Sequence, residues 1–430
     1  MSVQTEISTI NELVEQAKRV LPGGSFGNMP AEVILKEGKA GRIWDEAGRE
    51  YVDFLLGSGP MFVGHNHPEV TAAVQSQVPL GTTFFANNRH GIALAEAVCD
   101  AIPCADQVRF VCTGTEADLY AMRAVRAFRK RDKILKFEGG YHGMSDYALM
   151  STAPKRPSNF PRAVPDSAGI PKSVQDEMLI AAFNDIEMVE SLIEEQKDEL
   201  AGVIVEPFQR LIPPKPGFLQ ALRAVTAKHG IPLIFDEVVT GFRFAYGGAQ
   251  EYYGVTPDLC SLGKIVGGGF ALAAVAGRAD IMHHFDKLAA AEEDFIFQVG
   301  TLSGNPVAAV AGLATLGILK QPGTYERVFA TGRELMAALS DLLKKAGIPA
   351  QVTGEPPLFD VYFTDQPIKD YRDTLKADGA LAGRFNRLLR ERGIMKGESK
   401  YYVSLAHDRG DIDHTIAAWA DAIKQLKAAN

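Results

Sequence analysis

A single lysine, Lys264, stands in "CSLGKIVGGGF" (260–270) among small and apolar residues, between a Leu-Gly turn and three glycines. An amine held close to backbone and partly shielded from water gives up some of its preference for the charged state, which moves it toward the nucleophilic range. A solvated lysine beside a flexible glycine turn is the plainer alternative. Twenty-eight residues earlier, Asp236 closes an apolar run in "PLIFDEVVTGF" (232–242). A nitrogen heterocycle that must stay protonated needs a buried carboxylate, and an aldehyde cofactor held as a Schiff base needs a lysine. Asp236 and Lys264 supply both: the acid to keep a pyridinium charged, the lysine to carry the cofactor and then move protons at a substrate carbon.

Such a cofactor bears a phosphate, and "CTGTEAD" (112–118) reads as a strand-to-helix turn able to receive it. Thr113, Gly114 and Thr115 would sit where free backbone N–H groups and the helix dipole favour an anion. Taken alone, the same residues also read as a plain helix cap with Glu116 in the first turn. Thr301 in "GTLSGNP" (300–306) is a donor from another segment. Tyr141 and His142 lie in "FEGGYHG" (137–143), where glycines permit close backbone approach and an aromatic ring can stack on a flat ligand; Tyr141 at a core edge is the competing reading. Glu206 in "VIVEP" and Glu237 beside Asp236 also end apolar strands, as site residues or as caps and salt-bridge partners. The histidines of "GHNHP" and "HH" lack companions at zinc spacing, so no metal is expected. Gly267–Gly269 lack the strand and helix context of a dinucleotide fingerprint.

These residues need a frame, and the hydrophobic periodicity describes one. A first helix is expected over 7–20, ending before Pro22-Gly23-Gly24, and two strands in "GRIWDEAGREYVDF" precede a helix from Pro68. Beyond residue 90 short β-rich runs alternate with amphipathic helices: helices at 91–102, 116–129, 185–197 and 218–229, and strands at 107–112, 133–138, 202–206 and 231–237. That alternation argues for an α/β fold with a largely parallel sheet covered on both faces. In such a sheet ligands bind at the carboxyl ends of the strands, where Glu206, Asp236 and Glu237 fall. Alternation along the strand sends Asp236 and Glu237 to opposite sides. Prolines keep residues 151–173 irregular. Helices at 304–318, 324–346, 380–392 and 411–427 and a strand at 359–364 complete the chain.

Composition narrows the class. The 430 residues carry 45 Lys plus Arg against 53 Asp plus Glu, a net charge of -8, which gives no bulk reason to expect nucleic-acid binding. Four cysteines without zinc-like pairing suit a reducing compartment. No signal-peptide segment and no run of roughly 20 apolar residues is present, so a cytoplasmic protein without membrane association is expected.

The ordered motifs "LPGG", "GHNHPEV", "RFVCTGTEAD", "KFEGGYHG", "PDSAGIPK", "FND", "VIVEP", "IFDEVVTGFRFAYGGAQEYYGVTPDL", "LGKIVGGG", "GTLSGNP" and "SLAHDRGDID" resemble the class III, fold-type I aminotransferases that use pyridoxal 5'-phosphate, most closely the glutamate-1-semialdehyde 2,1-aminomutases. The resemblance covers nearly the whole chain. It implies a segment 1–60 that joins a small lobe, a large cofactor domain over 61–315 and a small C-terminal domain over 316–430. It implies that Lys264 carries the cofactor, Asp236 pairs with the pyridine nitrogen, Val238 and Tyr141 flank the ring, and Gly114 and Thr115 hold the phosphate. Thr301 would come from the partner subunit of a homodimer with shared sites, and Glu206 and Asn184 would belong to the hydrogen-bonded shell around Asp236 and the cofactor's hydroxyl side.

Two departures bear on substrate. Where the aminomutase pattern continues from "LPGG" to an arginine that grips the substrate carboxylate, this chain reads "SFGNMP", with Pro30 at the matching place. A proline offers no bidentate fork. Ser25 borders the same stretch, and Gln209 and Arg210 in "PFQRLIPPKPGF", with Arg409 in "AHDRGDID", are the remaining candidate substrate contacts; a surface salt bridge is the alternative for each arginine. The expected activity is transfer of an amino group from a primary amine or amino acid donor to a 2-oxo acid. An aminomutase uses the same residues, and racemases and lyases of the fold share Lys264 and Asp236. A non-catalytic cofactor-binding protein would be expected to lose the lysine.

Overall fold

In the computed structural model, which describes residues 10–428, the apolar runs around the lysine and the carboxylates assemble into one seven-stranded sheet. Its strands lie in the order Gln107–Val111, Ala273–Gly277, Leu259–Leu262, Leu233–Glu237, Leu200–Val205, Lys133–Phe137 and Met178–Ala181. The last five run parallel. Ala273–Gly277 runs antiparallel to both of its neighbours. The middle strands are buried along their whole length, as an α/β sheet covered on both faces requires.

Several boundaries differ from the sequence reading for identifiable reasons. The helix expected from 116 begins at Gly114, because Thr113 caps it in a full capping box with Glu116. The strand Ala273–Gly277 escapes the pattern: "AAVAG" has no alternation, and its small residues let neighbouring chains approach. A Cβ on Gly277 would lie 2.3 Å from Leu259 Cδ2. The first helix spans Ile10–Val20, and the expected residues 7–9 lie outside the described ones. The proline-rich stretch stays irregular until the short helix Lys172–Asp176, tied back by Asp166, which accepts from the amides of Thr152 and Ala153.

Two smaller sheets sit beside the large one. Leu35–Lys39, Arg42–Asp45 and Glu50–Asp53 pair in succession, and Ile394–Met395 joins Val52 and Asp53 in parallel, so early and late parts of the chain share a sheet. Gln351–Glu355, Leu358–Tyr362 and Tyr401–Tyr402 form the third. The helices Thr324–Ala346 and Arg409–Ala428 cover this region, and Trp419 is fully enclosed there, its indole N–H donating to the Tyr401 hydroxyl at 2.9 Å. One continuous apolar core runs from the large sheet into this region, through Phe137, Phe235 and Leu335 to Phe359.

Candidate active site

The strand Leu233–Glu237 splits its two acids as alternation demands. Glu237 faces the side of the sheet toward Gly248–Tyr253, where it accepts from the amides of Ala249 (2.6 Å) and Gln250 (3.2 Å) and from the Thr240 hydroxyl (3.0 Å). It is fully buried, and burial pushes its carboxyl up to about 7 despite those donors. Asp236 faces the other way. Its Oδ2 lies 2.8 Å from His142 Nδ1, and its Oδ1 accepts from the Val238 amide (3.0 Å) and the Ser261 hydroxyl (3.3 Å). Burial works against its charge, but His142, the Val238 amide and the nearby Lys264 outweigh that and hold it below the usual carboxylate range. Asp236 is therefore a buried acid kept ionised.

A second acid, unnoticed in the sequence, sits against it. Asp118 is enclosed on the helix Gly114–Arg129, and burial followed by the charge of Asp236 raises it well above the usual range, which favours its neutral form. Asp118, His142 and Asp236 each bring a potential ligand atom within 4.8 Å of the others, but here His142 Nδ1 is already bonded to Asp236 at 2.8 Å and burial disfavours charge on Asp118. The available signal was an acid on the apolar face of an amphipathic helix, among Ala117, Ala121 and Met122.

Lys264 starts a short turn, Lys264–Gly267, with a positive φ of 51°, an uncommon state for a non-glycine residue. Burial lowers its amine, with Lys400 adding to the effect, while Tyr402 and Asp236 oppose it. Tyr402 is buried against Gly59 and lies under the guanidinium of Arg243 at 4.9 Å, a further pair absent from the sequence reading. Val238 follows Asp236 and wedges between two glycines. Cβ atoms at Gly114 and Gly263 would lie 2.9 and 3.1 Å from its Cγ1, so both positions are glycine for its sake. This wedge ties the lysine turn to the helix start at 114.

At that helix start the Thr113 hydroxyl is engaged in capping: it accepts from the Glu116 amide (3.1 Å) and donates to Glu116 Oε2 (3.0 Å). Gly114, Thr115 and the dipole of the sixteen-residue helix are left for an anion. Thr115 Oγ1 accepts from the Met144 amide (3.2 Å), which joins this turn to the loop carrying Tyr141 and His142. In that loop the Tyr141 amide donates to Glu206 Oε2 at 2.9 Å, and the Tyr141 ring remains 41% exposed. Thus Lys264, Asp236, Val238, Gly114, Thr115, Tyr141, His142 and Glu206 gather at the carboxyl ends of the parallel strands.

Other candidates fall elsewhere. Asn184 does not join the shell of Asp236. Its side-chain amide donates to the carbonyls of Pro213 (3.1 Å) and Lys369 (3.0 Å) and its Oδ1 accepts from the Lys215 amide (2.7 Å), so it is committed to bracing loops. Arg409 is exposed, with Nη1 on Glu334 (2.7 Å) and Nε on Asp413 (2.9 Å), a surface ion pair rather than a pocket residue. Ser25 Oγ accepts from the Gly27 amide at 3.1 Å in its own turn. Pro30 lines a groove with Asn386, Arg390 and Lys396. Gln209 donates to the Glu138 carbonyl at 2.8 Å. Arg210, in a positive-φ conformation of 60°, donates to the carbonyls of Gly139 (2.9 Å) and Thr152 (3.3 Å) and lies 5.3 Å over the Tyr141 ring. Thr301 is exposed, between Val299 and Leu302. His65 pairs with Asp53 and His284 with the Asp294 carbonyl, whereas His67 Nδ1 is buried without a partner.

Three buried polar atoms around the gathered residues have no partner: Asp118 Oδ1, His142 Nε2 and Gln209 Oε1. Orphans of this kind mark a place built for a polar guest. A lysine amine, an ionised buried acid, an anion-binding helix start and an exposed aromatic ring make the guest's outline: an aldehyde, a basic ring nitrogen, a phosphate and a flat ring. The set fits pyridoxal 5'-phosphate.

Comparison with known proteins agrees with this geometry. The family model described as aminotransferase class-III matches residues 25–401. A glutamate-1-semialdehyde 2,1-aminomutase 2 of Brevibacillus brevis is 39% identical over 429 residues, covering 96% of this chain and 98% of the relative. An omega-transaminase structure from Sphaerobacter thermophilus superposes with a TM-score of 0.92 at 38% identity, over 97% of this chain and 98% of that one. A beta-phenylalanine aminotransferase from Variovorax paradoxus superposes with a TM-score of 0.87 at 30% identity, over 97% and 94%. Among the described residues no helix is long and apolar enough to cross a membrane. The chain belongs to the class III aminotransferases, fold-type I enzymes of amino-group transfer whose cofactor is pyridoxal 5'-phosphate.

Proposed function

We propose that the protein is an aminotransferase that takes the amino group of a primary amine or amino acid, releases the carbonyl product, and passes the group to a 2-oxo acid. When bound, pyridoxal 5'-phosphate supplies the electron sink for this chemistry. Asp236, kept ionised by His142, holds the proton on the pyridine nitrogen. Lys264, whose amine burial has made less basic, takes the proton from the substrate carbon bearing nitrogen and returns it on the reverse course. Gly114 and Thr115 hold the phosphate, and Val238 and Tyr141 enclose the ring.

The observation that carries the transaminase reading over the aminomutase one is Pro30. It stands on an exposed groove where an aminomutase would present an arginine, so the residue at that place offers no fork for the carboxylate of a substrate retained through both halves of the reaction, and the groove's own cations, Arg387, Arg390 and Lys396, come from the late part of the chain. Arg210 is the replacement we favour for an acceptor's carboxylate. It pairs with no carboxylate among the described residues and lies on the Tyr141 ring at the rim of the site.

A homodimer is part of the same reading. Phe85, Ile92, Phe297 and Val299 are each at least 60% exposed, and Ile92, Phe297 and Val299 line a groove of about 1050 Å³ with Arg109. An apolar surface of this extent suits burial against a second copy. Thr301, exposed two residues beyond Val299, would on this reading be given to the partner's phosphate site.

The test follows the absorbance of cofactor-loaded protein as single amines and amino acids are added without oxo acid, with product masses read in parallel. Stable conversion to the aminated cofactor with one released carbonyl product, reversed by pyruvate or 2-oxoglutarate, is expected. Rapid return to the starting spectrum with an isomerised product would make it an aminomutase. Inversion of the donor alone or release of ammonia would make it a racemase or lyase.

A further inference from the structure

Glu138 directly follows the strand Lys133–Phe137 and is buried at the entry to the loop that carries Tyr141 and His142. Its partner lies 234 residues further along the chain. Arg372 donates from Nε to Glu138 Oε2 (2.7 Å) and from Nη2 to Oε1 (3.1 Å), a two-point grip that fixes the orientation of both groups. The same Nη2 donates to the Ser158 carbonyl at 2.6 Å, and the guanidinium lies over the Phe160 ring, 4.2 Å from its centroid. One side chain therefore touches both the loop entry and the proline-rich stretch.

The preceding residue repeats the pattern. The Tyr371 hydroxyl donates to the Pro154 carbonyl at 3.2 Å, and its side chain lies against Gly139, where φ is +85° and a Cβ would lie 2.6 Å from Tyr371 Cβ. The Asp370 side chain caps the short helix Tyr371–Thr374 through the Asp373 amide (3.0 Å), so both residues stand on a closed turn. Lys136 and Arg210 hold the same loop at the carbonyls of Gly140 (3.1 Å) and Gly139 (2.9 Å). Arg372 and Tyr371 add the link from that loop to residues 154–160.

We propose that Arg372 is a positioning residue: by gripping Glu138 and Ser158 at once it makes the loop entry and residues 154–160 one unit, and so holds Tyr141 and His142 toward the cofactor. Arginine suits this task because one planar fork serves a carboxylate and a carbonyl together, whereas the compact ammonium of a lysine does not. The effect on the cofactor rests on the reading of the site given above. The link between the two segments does not.

Removing Arg372 alone also strands a buried carboxylate, which destabilises the fold for a reason unrelated to the link. The experiment therefore combines Arg372→Met with Glu138→Gln. Amide hydrogen exchange of the full-length protein without added cofactor compares Glu138→Gln with the double variant over 139–141 and 153–162, where folded-state amides are bonded, with the strand Leu200–Val205 as internal reference. The double variant is expected to lose at least about tenfold protection in both segments and none in the reference strand. Protection within about twofold of Glu138→Gln overturns the proposal, because Arg372 would then only neutralise Glu138. Loss over 153–162 with 139–141 unmoved overturns it as well, because the two segments would not be one unit. Should the double variant fail to fold, Arg372→Lys decides: it keeps the charge without the fork, so it should loosen both segments, and full protection there refutes the link. With pyridoxal 5'-phosphate bound, its release should quicken at least about fivefold in the double variant relative to Glu138→Gln. Unchanged release beside loosened segments overturns the positioning role. A protein that takes up no cofactor in any variant refutes the reading of the site, and the exchange pattern alone then decides the link.

Discussion

Replacing Gly143 by alanine should cripple cofactor binding without touching any group that does chemistry. Gly143 has φ of +82°, and a Cβ there would lie 2.6 Å from both the Cα and the Oγ1 of Thr115. The left-handed backbone costs a non-glycine residue about 1–2 kcal/mol, and overpacking against a backbone that cannot yield adds about 1–3 kcal/mol. Relief requires the loop and the helix start at Gly114 to part, which breaks the bond from the Met144 amide to Thr115 Oγ1 and moves the phosphate turn. If most of that strain is relieved in the free protein and must be restored on binding, about 2–4 kcal/mol is about a 30- to 1000-fold weaker dissociation constant for pyridoxal 5'-phosphate. The assay is absorbance titration of cofactor-free protein, with melting temperature measured in both states. Gly347→Ala is the control: it shares a positive φ, +70°, at a helix end but has nothing within 4 Å of the new Cβ, so it should lower stability by about 1 kcal/mol and leave cofactor affinity alone. Cofactor affinity in Gly143→Ala within twofold of the wild type would refute the argument that this glycine sets the distance between the loop and the phosphate turn.

Lys264→Ala should keep the melting temperature of the cofactor-free protein, lose the covalent absorbance band, and slow turnover by about 10²–10⁴-fold or more from loss of its acid–base role alone; full turnover would sink the mechanism. Arg210→Gln should raise KM for the 2-oxo acid by about 10- to 150-fold, from loss of a charged hydrogen bond of about 1.5–3 kcal/mol, with less effect on an uncharged amine donor; equal effects on both would remove Arg210 from acceptor recognition. Glu237 supplies a stability test with a definite sign. Its folded carboxyl is raised from 4.5 to about 7, so the folded state binds more protons than the unfolded one between those values. Stability should therefore fall as pH rises through this window, by about 3 kcal/mol in all, and Glu237→Gln should flatten the melting-temperature profile between about pH 5 and pH 8. An unchanged slope in the variant would assign the pH dependence to another group.

What could be read in advance was whatever local physics fixes. An apolar strand that ends in an acid puts that acid at the carboxyl edge of a parallel sheet, and alternation separates Asp236 from Glu237 whatever the rest of the chain does. Thr113 and Glu116 declare a helix start by their spacing. What escaped was set by packing between distant segments. Ala273–Gly277 shows no period because both of its faces and both of its edges are enclosed, so its residues answer to neighbours such as Leu259 and not to a solvent boundary. Asn184 is drawn away from Asp236 by acceptors on Pro213 and Lys369, the second 185 residues distant in the chain.

Asp118 was the harder case, and it shows why the two acids must be understood together. A carboxyl on the buried face of a helix costs free energy unless it is neutral or paired, so one placed beside a second carboxylate would ordinarily push both toward protonation. Here the burden falls on one of them. His142 and the Val238 amide converge on Asp236, while Asp118 keeps an oxygen without a partner. The asymmetry of donors thus decides which acid is charged, and it leaves the ionised one where the pyridine nitrogen is to be held. That division depends on His142, whose ring is aimed by the loop that Lys136 and Arg210 hold from either side. The charge state of Asp236 is consequently a property of the loop as much as of the strand that bears it.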